Sequence, residues 1–138
     1  FVGGGDCEDI LNNAANLSNG AIKYLGMQPY KVAEDYIKKA DVLLSIGNAE
    51  SPMAPSKIIE YIATGKPIIH IYSWDKDPCL EPLKKYGNAL LIKEKDVEGP
   101  RKVIRFLEGL KTISFEEVYE KFITSTPQYS ADVIEELL

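Results

Sequence analysis

Three polar side chains stand close enough in the chain to share one helix face: Ser56, Lys57 and Glu60. At ~100° of rotation per residue they fall within about 100° of one another, and Ile58, Ile59 and Ile62 are expected to cover the other side. A helix anchored in this way presents its first N–H groups and the Lys57 ammonium to an anionic group. The Glu60 carboxylate, one turn deeper, is placed to accept hydrogen bonds from a pair of hydroxyls. The same residues read equally well as a solvated Lys–Glu pair at i, i+3, which contributes only about a few tenths of a kcal/mol. Spacing alone leaves the two readings even. The run Gly47-Asn48-Ala49-Glu50-Ser51-Pro52-Met53-Ala54-Pro55, rich in small and turn residues, delivers the chain into this helix.

Other candidates carry less chemistry. Gly3-Gly4-Gly5 does not extend to a dinucleotide fingerprint, because the third glycine position is Glu8. Asp6, Glu8 and Asp9 fill the first turn of the helix that follows; they complement its dipole but repel a pyrophosphate. The one histidine, His70, lies inside an apolar run and reads as a core or sheet-end residue rather than a catalyst. Tyr72 and Trp74 fall past a strand end, where they either wall a site or pack on their own loop. Lys84, Lys85, Lys93 and Lys95 read as solvated faces. Cys7 and Cys79 lack CxxC spacing, so with a single histidine a Cys/His zinc site is short of ligands and two free thiols in a reducing compartment are expected. With one histidine and scattered acids, no Ser-His-Asp set and no pair of catalytic carboxylates can be argued.

The elements that position these residues alternate. Residues 1–2 read as the tail of a strand and Asp6 as the N-cap of a helix with Ile10, Leu11, Ala14 and Leu17 along one stripe. A strand is expected over 21–25, ended by Gly26, and a helix over about 31–39 with Val32, Tyr36 and Ile37 at helical spacing. Residues 41–46 form a nearly continuous apolar strand, the pattern of burial on both faces of a parallel sheet. A helix over 57–64 is stopped by Gly65 and Pro67. Strands over 66–72 and 89–92 flank a short helix near 80–85, and helices near 100–110, 115–123 and 131–138 close the chain. Four or five strands alternating with helices, and no hairpin signal, predict βαβ units. The expected fold class is therefore α/β: a Rossmann-like, doubly wound parallel sheet with C-terminal helices, forming one domain over 1–138. Ligands of such sheets bind outside the carboxyl ends of the strands, where the loop from Gly47 and the start of the 57–64 helix lie.

Composition fits this class. The 138 residues are 45% hydrophobic and 27% charged, within the range of one globular domain. A formal charge of −5 without a basic stripe argues against nucleic acid and against docking on an anionic membrane. No apolar run approaches the ~18 residues needed for a membrane span. Because the chain opens on Phe1 and ends within an amphipathic stretch, an excised piece of something larger is expected.

The stretch Pro55-Ser56-Lys57-Ile58-Ile59-Glu60-Tyr61-Ile62-Ala63-Thr64-Gly65-Lys66-Pro67-Ile68-Ile69, preceded by Ala40-Asp41-Val42-Leu43-Leu44, resembles the donor-binding half of GT-B glycosyltransferases. It is most similar to the retaining glycosyl transferases of group 1 type, with the pattern P-x-K-x-x-E-Y-x-A-x-G-K-P. Flanking pieces at 1–6 and at Ile22-Lys23-Tyr24-Leu25-Gly26 followed by Pro29 resemble the same half in the same order, so the resemblance covers about residues 1–110.

The resemblance implies that Glu60 binds the ribose hydroxyls of a nucleotide-sugar donor, that Ser56 and Lys57 face the diphosphate and sugar, and that Met27 and its neighbours meet the base. Gly47 and Asn48 open the loop beside the donor. Many relatives carry a glutamate eight residues before Glu60, where this chain has Pro52; Glu50, two residues away, is the substitute if the loop is displaced. It further implies sugar transfer from a nucleotide sugar to a glycan or lipid-linked acceptor, as in polysaccharide biosynthesis, with no cofactor and no metal. The acceptor site and the catalytic group would belong mainly to a preceding domain of the same chain and the basic diphosphate clamp to residues just upstream of Phe1, this piece alone being inactive. The expected compartment is the cytoplasm, with peripheral attachment at the inner membrane face through that other half. Two alternatives stay open: a nucleotide-sugar 2-epimerase of the same architecture, and a flavodoxin-like or receiver-type regulatory module. Against a receiver, the strand over 41–46 runs into Gly47-Asn48 without an acceptor aspartate.

Overall fold

The computed structural model describes residues 1–5, 7–47 and 56–125. The expected N-cap Asp6, the loop residues 48–55 and the closing helix at 131–138 lie outside them. The chain forms two compact units, one spanning Phe1–Ala40 and the other beginning at Asp41.

The first unit holds α1 (Glu8–Leu17) and α2 (Tyr30–Lys39). Cys7 occupies the cap position of α1, and Glu8 and Asp9 fill its first turn. Pro29 precedes α2, fixing its entry, and Lys38 and Lys39 complement the dipole at its end. Neither helix has a buried residue, and Ile10 and Leu17 of the expected α1 stripe are exposed. The strands expected at residues 1–2 and 21–25 do not form as strands. Three hydrogen bonds join the two segments instead: the Phe1 amino group donates to the Lys23 carbonyl at 2.6 Å, the Leu25 N–H to the Phe1 carbonyl at 3.0 Å and the Gly3 N–H to the Gly26 carbonyl at 2.9 Å. Gly3 at φ +136 and Gly26 at φ +63 take both segments out of extended geometry.

The second unit contains β1 (Leu43–Ile46), α3 (Ser56–Ala63), β2 (Ile68–Tyr72), α4 (Leu80–Tyr86), β3 (Ala89–Lys93), α5 (Gly99–Glu108) and α6 (Phe115–Phe122), followed by a 3-10 turn at Ile123–Ser125. Its three strands are all parallel, in the order β1-β2-β3, with Ser45 opposite His70 and His70 opposite Leu91. Helices α3 and α4 supply the two crossovers that parallel pairing requires. The molecule is thus α/β with a parallel sheet, the arrangement of a Rossmann-like fold, with three strands among the described residues rather than four or five.

The two-sided burial expected for residues 41–46 belongs instead to β2. In β1, Leu43 is buried but Leu44 and Ile46, which share the opposite face, are exposed. Flanked on both sides, β2 buries Ile68, Ile69 and His70 in succession. Helices α4 and α5 pack on β3, and α6 packs on α3 and α4. The core joins Leu43, Ile58, Ile62, Ile68, Leu83, Tyr86, Ile92 and Val118. Tyr86 spends its hydroxyl on the Lys66 carbonyl at 2.8 Å, so the ring is buried without an orphaned polar atom. Ser114 caps α6, its hydroxyl accepting from the Glu117 N–H at 3.2 Å.

Candidate functional site

Ser56, Lys57 and Glu60 come together on the first turns of α3. Behind them Ile58 is 1% and Ile62 3% exposed, while Ile59 is 56% exposed. The expectation that all three isoleucines cover the other side is therefore corrected for Ile59. On a helix it stands about 60° from Ser56, at the border of the polar face, at ~100° per residue. The Lys57 ammonium and Glu60 carboxylate pair at 2.8 Å, with side chains 49% and 39% exposed. A pair so open to solvent contributes about 0–1 kcal/mol. Both groups thus stand at the surface in a geometry that a ligand can reorganise at small cost.

The helix end is built to stop. Gly65 adopts φ +70, and a side chain there would collide with the Ile113 carbonyl. Its own carbonyl accepts from the Ile113 N–H at 2.9 Å and from the Asn88 amide at 3.2 Å. Gly47 follows β1 and continues the ladder, its N–H donating to the Ile71 carbonyl at 2.8 Å. Any Cβ at Gly47 would fall on the Asp77 carboxylate. Of the remaining expected donor residues, Met27 is exposed in the first unit with its side chain against Gly4. Asn48 and Glu50, with Pro52, lie outside the described residues.

A second group of polar side chains is buried beside the same sheet end. His70 is 0% exposed, and its Nδ1 lies 3.0 Å from the Ser45 hydroxyl, the residue that pairs with it across β1 and β2. Its Nε2 lies 3.3 Å from Asp77 Oδ2. The other oxygen of Asp77 accepts from the Cys79 N–H at 2.8 Å, closing the turn into α4. Burial, with the Asp77 carboxylate adding to it, pushes the Cys79 thiol up to about 12, so it stands protonated at neutral pH. Ser45, His70 and Asp77 form the hydrogen-bonded series that one histidine and scattered acids did not suggest, and this corrects that expectation. Full burial of the imidazole keeps it from acting as a nucleophile's base at the surface. The core placement expected of His70 holds. Asp77 is the residue that sequence reasoning missed. A turn aspartate three residues before a helix is the available signal, and it marks a turn or cap rather than a partner for a strand histidine.

Tyr72 stacks on the His70 ring at 6.2 Å, and Trp74 is half-buried with its carbonyl accepting from the Asp77 N–H at 3.1 Å. Tyr72 is thus the last residue of β2 rather than past its end, which corrects that expectation, and Trp74 belongs to the turn around Asp77. The lysines read as solvated faces are exposed but engaged: Lys84 with Glu81 at 2.8 Å, Lys93 with Asp75 at 2.7 Å, and Lys85 over the Phe122 ring at 4.9 Å. No family model, curated protein or solved structure matches the chain.

Proposed function

We propose that the chain is the nucleotide-sugar-binding part of a two-domain glycosyltransferase of GT-B architecture, its parallel sheet being part of a doubly wound, Rossmann-like domain. The observation that carries the reading is the exposed Ser56–Lys57–Glu60 face of α3, backed by buried Ile58 and Ile62. In an α/β unit the helix after a parallel strand starts at that strand's carboxyl end, where ligands of open sheets bind.

In this reading the donor engages the face in two places. The α3 N–H groups and the Lys57 ammonium meet the diphosphate, and the Glu60 carboxylate accepts from the ribose hydroxyls. Lys57 turns from Glu60 toward phosphate, exchanging one exposed charge contact for another. A carboxylate bonded to two hydroxyls contributes about 1.5–3 kcal/mol for charge-assisted bonds, more than the pair it replaces. The catalytic group and the acceptor site belong to the other domain of the enzyme, and transfer requires the cleft between the two. The reading needs no metal or cofactor for donor binding.

Calorimetric titration of the chain with UDP, GDP and ADP tests it. One of the three is expected to bind in the high-micromolar to millimolar range, roughly −4 to −6 kcal/mol. Absence of binding by all three at millimolar concentration overturns the reading.

A further inference from the structure

His70, Asp77 and Cys79 place three different donor atoms, an imidazole nitrogen, a carboxylate oxygen and a thiol sulfur, within 4.8 Å of one another, and all three residues are buried. We propose that this cluster binds zinc, with His70 Nε2, Asp77 Oδ2 and Cys79 Sγ as ligands. The proposal is independent of the donor-binding reading, since the cluster lies inside the sheet end and α3 takes no part in it.

Three features of the geometry support a metal. First, two of the three ligands are already oriented through their other atoms. Nδ1 of His70 is held by the Ser45 hydroxyl at 3.0 Å, and Oδ1 of Asp77 by the Cys79 N–H at 2.8 Å. Outer partners of this kind fix the ring and carboxylate of metal-bound histidine and aspartate. Second, the charges cancel: a dication with one thiolate and one carboxylate is neutral, which suits a buried site. Third, the span is close to what the ion requires. Bonds of ~2.0–2.3 Å around a tetrahedral zinc put ligands about 3.3–3.7 Å apart. The Nε2–Oδ2 distance of 3.3 Å already meets this, and the widest separation in the cluster has to close by about 1 Å. The mixed nitrogen, oxygen and sulfur donors favour zinc over calcium or magnesium, which take oxygen ligands.

Binding balances as follows. The neutral imidazole binds the ion through Nε2 and carries its one hydrogen on Nδ1, which donates it to Ser45 Oγ. The Cys79 S–H bond breaks, a Zn–S bond forms, and one proton passes to solvent. Three protein ligands leave one coordination position for a solvent molecule. Counting cysteines and histidines in the sequence does not find such a site, because its third ligand is a carboxylate.

Cobalt serves as the probe, with the full chain stripped by EDTA and then dialysed. Titrating Co²⁺ into the Cys7→Ser variant leaves Cys79 as the one thiol, and Cys7 is exposed, so its replacement spares the fold. The expected result is a thiolate-to-cobalt charge-transfer band that saturates at one Co²⁺ per chain and is displaced by Zn²⁺. Zn²⁺ should also raise the melting temperature of both the parent chain and Cys7→Ser. Asp77→Asn, which keeps an oxygen for the Cys79 N–H, should weaken cobalt binding at least tenfold. No band with excess Co²⁺, a band lost in Cys7→Ser, or no change of melting temperature with Zn²⁺ overturns the proposal.

Discussion

Gly65 shows how much one residue can be required to do. It must hold φ +70, and its missing side chain makes room for the Ile113 carbonyl. Gly65→Ala meets both demands at once: about 1–2 kcal/mol for the left-handed backbone and about 1 kcal/mol more if the Ile113 hydrogen bond gives way. Urea denaturation should show a loss of about 2–3 kcal/mol; a loss below about 0.5 kcal/mol would mean that the Ile113 segment moves aside freely. The stop at Gly65 and Pro67 was legible in the sequence, because helix termination is local chemistry. The second reason for glycine was not, because the carbonyl that crowds it lies 48 positions further along. Asp77 and His70 repeat the lesson. Sequence spacing places His70 in an apolar strand but says nothing of Ser45, its cross-strand partner, whose position depends on the parallel register.

At the scale of one element, α3 separates packing from recognition. Its period was legible: the polar side chains at 56, 57 and 60 gather on one face and Ile58 and Ile62 face the core. Ile59 was misplaced, because hydrophobicity alone does not say how far round the helix the core reaches. Ile62→Ala should therefore cost about 2–5 kcal/mol of stability as a core truncation, and Ile59→Ala should stay within about 0.5 kcal/mol, as an exposed substitution does. Equal losses in thermal or urea unfolding would mean that α3 is rotated from the position described. β1 carries the same lesson for strands. An unbroken apolar run signals burial on two faces, yet Leu44 and Ile46 leave one face of β1 exposed, and what covers a sheet face is not written in any single strand.

For the whole molecule, alternation of strand and helix was enough to anticipate a parallel α/β sheet, since parallel pairing needs crossovers and the chain supplies helices of the right length at 56–63 and 80–86. The segments at 1–2 and 21–25 were read as strands for their apolar residues, but Gly3 and Gly26, at positive φ, take the chain out of extended geometry just beyond them, and hydrogen bonds join the two segments without strands. What the molecule does rests on whether the polar face of α3 takes a nucleotide. The direct measurement is the amide spectrum of the isotope-labelled chain titrated with UDP, GDP and ADP, for the parent and for Glu60→Gln, which keeps the shape and removes the charge. The donor-binding account predicts that one nucleotide shifts the signals of Ser56, Lys57 and Glu60. It also predicts that Glu60→Gln weakens that binding roughly 10–100-fold, the equivalent of 1.5–3 kcal/mol, with an unchanged melting temperature. Shifts of equal size in the variant, or none on α3 with any of the three nucleotides, would contradict it and leave Lys57 and Glu60 as an ion pair on a solvated helix face.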